Sequence, residues 1–177
     1  MNLPNTITLS RLLGLPFIFV LLQFPAPLYH WWAVGIFALA AGTDWLDGYL
    51  ARRLDQVTEM GKFLDPLVDK LLVLGPLLIL VQWQQIPAWA VFLILARELG
   101  IAGWRINPQL SGNGLIQGAN LWGKLKTITQ MAAIAVLLTP LSGQFEQVGL
   151  GLFWLSLVLT LISGLIYVIP TKGEAVT

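Results

Sequence analysis

Four aspartates gather in an otherwise apolar sequence: Asp44 and Asp47, three residues apart, and Asp65 and Asp69, four apart. On a helix, either spacing places both carboxylates on one face. At about 100° per residue, Asp44, Asp47, Gly48, Ala51 and Arg52 fall within an arc of about 140°. One stripe thus joins two carboxylates, two small residues and a guanidinium. Four carboxylates cannot all stay ionised in a low-dielectric site, because mutual repulsion protonates them unless a cation neutralises them. No histidine or cysteine lies nearby, so the donors are oxygens. That suits a hard divalent ion, Mg²⁺ or Mn²⁺ before Ca²⁺. Two such ions about 4 Å apart would clamp a phosphoryl group during displacement. Gly48 and Ala51 leave room for a phosphate near the backbone, and Arg52 can pair with its oxygens.

Simpler roles exist for such charges. Acids at a helix end often face water or pair with neighbours, and Asp55, Glu59, Arg53 and Lys62 fit that description. Acids within a membrane also form proton or cation pathways. Pathway acids tend to be spread through the span. These are gathered at one edge, beside small residues and an arginine, which favours phosphoryl chemistry over ion transport.

The elements that must position them are apolar. Of 177 residues, 56% are hydrophobic and 11% charged, against about 25% charged in an average globular chain. That composition indicates a membrane protein. Six apolar stretches, at 7–24, 29–48, 64–82, 86–104, 122–140 and 147–169, each approach the ~20 residues a membrane-crossing helix needs. As core helices of a soluble protein they would leave too little polar face. The breaks "FPAPLYH", "QWQQIP", "NPQLSGNGLIQGAN" and "TPLSGQ" carry turn residues, and Pro170 closes the sixth stretch. The expected fold is an all-α integral membrane protein: six transmembrane helices in one domain, residues 1–177, with a polar metal site at the cytoplasmic end. Pro25 and Pro27 flank Ala26 and no A-x-A site follows, so the first stretch is expected to be a retained helix, not a signal peptide. Without cysteine there is no thiol or disulfide chemistry.

Orientation follows from lysine and arginine. With six spans, the N-terminus, the 49–63 and 105–121 loops and the C-terminus share the side nearest the basic residues. That bias predicts both termini and the acid cluster in the cytoplasm. Trp31, Trp32, Trp83 and Trp89 then mark the outer interface, and Trp45, Trp104 and Trp122 the inner one. Arg97 lies inside an apolar stretch, where an unpaired guanidinium is costly. Adjacent helical residues diverge, so Glu98 is expected to be a poor partner; an aspartate of the cluster is another. Arg105, Lys124 and Lys126 at the same edge are either positive-inside anchors or, with Arg97, a pocket for a phosphate monoester.

Residues 44–69 read D-x2-D-G-x2-A-R-x8-G-x3-D-x3-D, through Asp44, Asp47, Gly48, Ala51, Arg52, Gly61, Asp65 and Asp69. This resembles the signature of the CDP-alcohol phosphotransferase family with no position missing, and the hydropathy is similar along the whole chain. The resemblance implies that the four aspartates hold two metal ions, Mg²⁺ or Mn²⁺, on the diphosphate of a CDP-linked lipid. An alcohol then attacks the phosphorus that bears the lipid, and CMP leaves. Asp69 is implied as base and as metal ligand, two roles that compete for its lone pairs. Gly48, Ala51 and Arg52, with Thr58 in the eight-residue gap, are implied at the CDP-diacylglycerol.

Three further segments resemble the members whose acceptor is sn-glycerol 3-phosphate. They are P-N-x-x-T-x-x-x-R at Pro4, Asn5, Thr8 and Arg11; R-E with a later arginine at Arg97, Glu98 and Arg105; and G-K-x-K-T-x-x-Q at Gly123, Lys124, Lys126, Thr127 and Gln130. This places Asn5 with the CDP-diacylglycerol set, and Arg97, Arg105, Lys124 and Lys126 at the acceptor phosphate. The implied reaction makes phosphatidylglycerophosphate and CMP, in phospholipid biosynthesis. The implied setting is a multi-pass homodimer of a bacterial-type inner membrane, with no nucleic-acid partner. The run "INPQLSGNGLIQGANLW" departs from the smaller, alanine-rich segment usual there. Phosphatidylglycerol (as in a cardiolipin synthase), inositol phosphate and serine stay open as acceptors. A cation transporter and a non-catalytic scaffold are the rivals from other classes.

Overall fold

The computed structural model describes residues 3–53, 59–106 and 121–168, and the side chains of 8–43, 64–103 and 123–165. Among them it is all-helical: α1 (Leu3–Leu21), α2 (Pro27–Arg53), α3 (Glu59–Gln82), α4 (Ala88–Ile106), α5 (Leu121–Leu138) and α6 (Gln144–Val168). Each helix overlaps one of the six apolar stretches. Pro27 is the first residue of α2, where its missing N–H would have had no helical partner anyway.

α2 and α3 run furthest past their apolar stretches. α2 continues to Arg53 and α3 already begins at Glu59, so most of the 49–63 segment expected as loop is helix. Asp65 and Asp69 lie more than a turn inside α3, not at its start. Apolarity decides what a helix buries, whereas Leu50, Ala51, Arg52 and Arg53, then Glu59, Met60 and Lys62, are strong helix formers whatever their surroundings.

α1 packs on α2 and α3, α5 pairs with α6, and α4 bridges α3 and α6. The core between them holds Ile18, Phe37, Leu72, Leu80, Ile134 and Phe153, all at most 1% exposed. The α5–α6 pair closes over Gly149: a Cβ there would lie 2.7 Å from Leu137 Cδ2 and 2.8 Å from its Cγ. Gly149→Ala should therefore lower the melting temperature. Overpacking of this kind costs about 1–3 kcal/mol, more than the roughly 1 kcal/mol that alanine gains in helix propensity. A thermal melt in detergent checks it, and an unchanged or raised midpoint would mean the two helices part without cost.

Large apolar side chains also face outward, among them Phe17 at 65%, Leu39 at 72% and Phe92 at 65% exposure. By length and composition, Gln144–Leu165 is the one helix among the described residues able to cross a membrane, and Thr8–Leu21 is a shorter apolar helix. The remaining helices carry the charges that the sequence marks for chemistry: Asp44 and Asp47 on α2, Asp65 and Asp69 on α3, Arg97 and Glu98 on α4, Lys124 and Lys126 on α5.

Candidate active site

Asp65 and Asp69, one turn apart on α3, line a cavity of about 290 Å³ between α3, α4 and α5. Glu98, Lys126 and Gln130 stand on its other walls, and Leu74, Leu77 and Ile94 give it apolar surface. α1 fixes the two acids. Thr8 Oγ1 donates to Asp65 Oδ1 at 2.8 Å, and Arg11 Nη1 donates to Asp69 Oδ1 at 3.0 Å. Thr8 and Arg11 are three apart, so one face of α1 offers a hydroxyl and a guanidinium to two acids one turn apart on α3. Both donors are buried, at 1% and 2% exposure. They are motif positions to which sequence reasoning gave no role. The signal was present in a polar pair at helical spacing inside an apolar helix.

The second cluster joins three helices. Glu98 Oε1 accepts from Arg97 Nη1 at 2.8 Å and from Lys126 Nζ. Arg97 Nη2 also donates to Ser163 of α6. This corrects the expectation that Glu98 is a poor partner for Arg97. Adjacent side chains leave a helix about 100° apart, but both arms are long enough to fold back, and Lys126 draws the carboxylate to the same spot. Gly164 makes way for Arg97: a Cβ there would lie 3.1 Å from Arg97 Cγ. The half-buried Arg97 side chain, 14% exposed, reaches Ser163 of α6 and does not line the cavity, whereas Lys126, with 8% of its side chain exposed, does.

The other expected site residues are placed as follows. Asp44, Asp47, Gly48, Ala51 and Arg52 share the unbroken end of α2, which is the helical continuity their stripe requires; their side chains lie outside the described residues. So do the side chains of Asn5 on α1 and Arg105 on α4, and Thr58 altogether. Lys124 is exposed. Two residues from Lys126, it points about 200° away on the helix, so the two lysines cannot both face the cavity. Among the described residues no three histidine, cysteine or acidic side chains group to hold a metal. Asp65 and Asp69 fit half of an oxygen-only site, one turn apart and open to the same cavity, which is a donor set for a hard ion.

Carboxylates and a lysine facing one another across a cavity in an all-helical bundle suit the transfer of an anionic group. Residues 1–162 match the CDP-alcohol phosphatidyltransferase family. The chain belongs to that family and is a phosphatidyltransferase. It is 39% identical to the CDP-diacylglycerol--glycerol-3-phosphate 3-phosphatidyltransferase of Bacillus subtilis (strain 168), over 92% of this chain and 91% of the relative. The protein of the same name from Shigella flexneri serotype 5b (strain 8401) is 36% identical over 98% of this chain and 96% of its own length. That from Pseudomonas fluorescens is 42% identical over 78% and 72%.

Proposed function

We propose that this chain transfers a phosphatidyl group from CDP-diacylglycerol to sn-glycerol 3-phosphate, releasing CMP and giving phosphatidylglycerophosphate. The observation that carries this reading is one shared cavity lined by Asp65, Asp69 and Lys126. The names of the relatives supply the two substrates. Lys126 takes the acceptor phosphate as a charge-assisted hydrogen-bond donor. That brings the acceptor's primary hydroxyl to the Asp69 side, where its oxygen attacks the phosphorus bearing diacylglycerol. The bond from that phosphorus to the CMP oxygen breaks, and the hydroxyl proton passes to Asp69. Gly48, Ala51 and Arg52 on α2, with Asn5 and Thr58, hold the CDP part.

The four aspartates would hold one or two Mg²⁺ or Mn²⁺ ions, which supply charge for the diphosphate and for the departing CMP. Asp65 and Asp69 are set for this by Thr8 and Arg11. Catalysis then rests on position and preorganised charge. The outward apolar side chains support a chain embedded in a bilayer as one domain. The basic residues favour a cytoplasmic active site. The lipid tails then stay among the helices while the headgroup reaches the acids.

An acceptor panel tests the proposal. Purified protein with CDP-diacylglycerol and Mg²⁺ should release CMP with sn-glycerol 3-phosphate, and the lipid product should be phosphatidylglycerophosphate. Chelation should stop the reaction. Product from phosphatidylglycerol, inositol phosphate or serine instead would overturn the acceptor while keeping the family chemistry.

A further inference from the structure

Gln130 is buried, at 3% exposure, in the wall of the cavity that Asp69 and Lys126 also line. It stands one turn beyond Lys126 on the same face of α5. Its Nε2 is sealed from solvent and has no hydrogen-bond partner. The charged groups on these walls are engaged: Asp65 by Thr8, Asp69 by Arg11, Glu98 by Arg97 and Lys126, and Lys70 by the Pro66 carbonyl. Thr127 donates to the Gly123 carbonyl. Leu74, Leu77, Ile94 and Met131 give the same cavity apolar wall. An unsatisfied buried amide is costly, and folded proteins rarely keep one. An isolated amide on an apolar wall is also how small-molecule sites fix the orientation of a ligand.

Resting on the acceptor proposed above, we infer that Gln130 determines acceptor specificity by hydrogen-bonding the hydroxyl that does not react, the one on the middle carbon of sn-glycerol 3-phosphate. Lys126 then reads the phosphate, Asp69 the reacting hydroxyl and Gln130 the spectator. The carboxamide can turn its N–H or its C=O towards that hydroxyl, which donates and accepts. Three contacts on one small acceptor fix its orientation, so only the terminal oxygen reaches the phosphorus. A site built to bond a hydroxyl rejects the analogue that lacks it, because its own polar group is left unpaired.

The experiment compares kcat/KM for sn-glycerol 3-phosphate and for 3-hydroxypropyl phosphate, which lacks the middle hydroxyl. The wild-type protein should prefer the first by about 10- to 100-fold. Gln130→Met, close in shape but apolar at the tip, should lose that preference, bringing the ratio of the two kcat/KM values to within about 3-fold of one. The ratio does not depend on how much of the variant folds. An unchanged ratio with both acceptors slowed equally would overturn the inference and make Gln130 a packing residue. Equal use of the two acceptors by the wild-type protein would overturn it without any variant. If wild-type protein makes product only from another alcohol, the acceptor itself falls, and this inference with it.

Discussion

Asp69→Asn should fold as the wild type does and release CMP at least about 10³-fold more slowly at saturating substrate and metal. A positioned general base contributes about 10²- to 10⁴-fold, and the same substitution removes an anionic oxygen from the proposed metal set. Asparagine keeps the shape and keeps an oxygen to accept from Arg11, whose Nη1 now lies 3.0 Å from Asp69 Oδ1. The contact between α1 and α3 therefore persists as a hydrogen bond. Asp69 leaves 40% of its side chain exposed but Arg11 only 1%, so the neutral partner leaves a buried guanidinium with less opposing charge and the melting temperature should fall modestly. Asp65→Asn should also lose activity, through the metal donors alone; Thr8 still has an oxygen to donate to. Single-turnover CMP release, read beside a thermal melt, separates chemistry from stability. Wild-type turnover by Asp69→Asn would end its assignment as base.

Helices were legible in this sequence because apolar runs of membrane length are a strong signal. What the runs could not show is where helix ends and burial continues. The turns after Asp47 and before Asp65 are polar, so hydropathy assigns 49–63 to a loop, while propensity carries the helices to Arg53 and back to Glu59. The acids at helical spacing were legible too. Their partners were not: Thr8 and Asp65 lie 57 residues apart and Arg11 and Asp69 lie 58 apart, contacts made only when α1 packs on α3. Glu98 was misjudged for a related reason. Its distance from Arg97 on the helix surface is local, but Lys126, 28 residues away, decides where the carboxylate sits. Lys124 and Lys126 look equivalent as neighbouring basic residues, and only the packed face of α5 separates them.

Lys126→Met should raise the KM for sn-glycerol 3-phosphate by about 10- to 100-fold, the effect of losing a charge-assisted bond to phosphate, with kcat at saturation much less affected. It should also destabilise the protein, because Glu98 loses one of its two cations while only 22% of its side chain is exposed. Removing a partner from such a cluster costs up to about 3 kcal/mol. The two effects have different origins and can be separated. Adding Glu98→Gln to Lys126→Met removes the carboxylate left short of positive charge, so the melting temperature should recover in part. The raised KM should not recover, since no cation has returned to the cavity wall. Arg97→Met gives the converse pattern: Arg97 is tied to Glu98 and Ser163 and turned over Gly164, so its loss should lower the melting temperature more than it raises the acceptor KM. If Lys126→Met lowers only the melting temperature and leaves KM unchanged, Lys126 is a structural counterion to Glu98 and the acceptor phosphate binds elsewhere. The geometry separates the two cations: Lys126 both holds Glu98 and lines the cavity with Asp65 and Asp69, whereas Arg97 holds Glu98 from outside it.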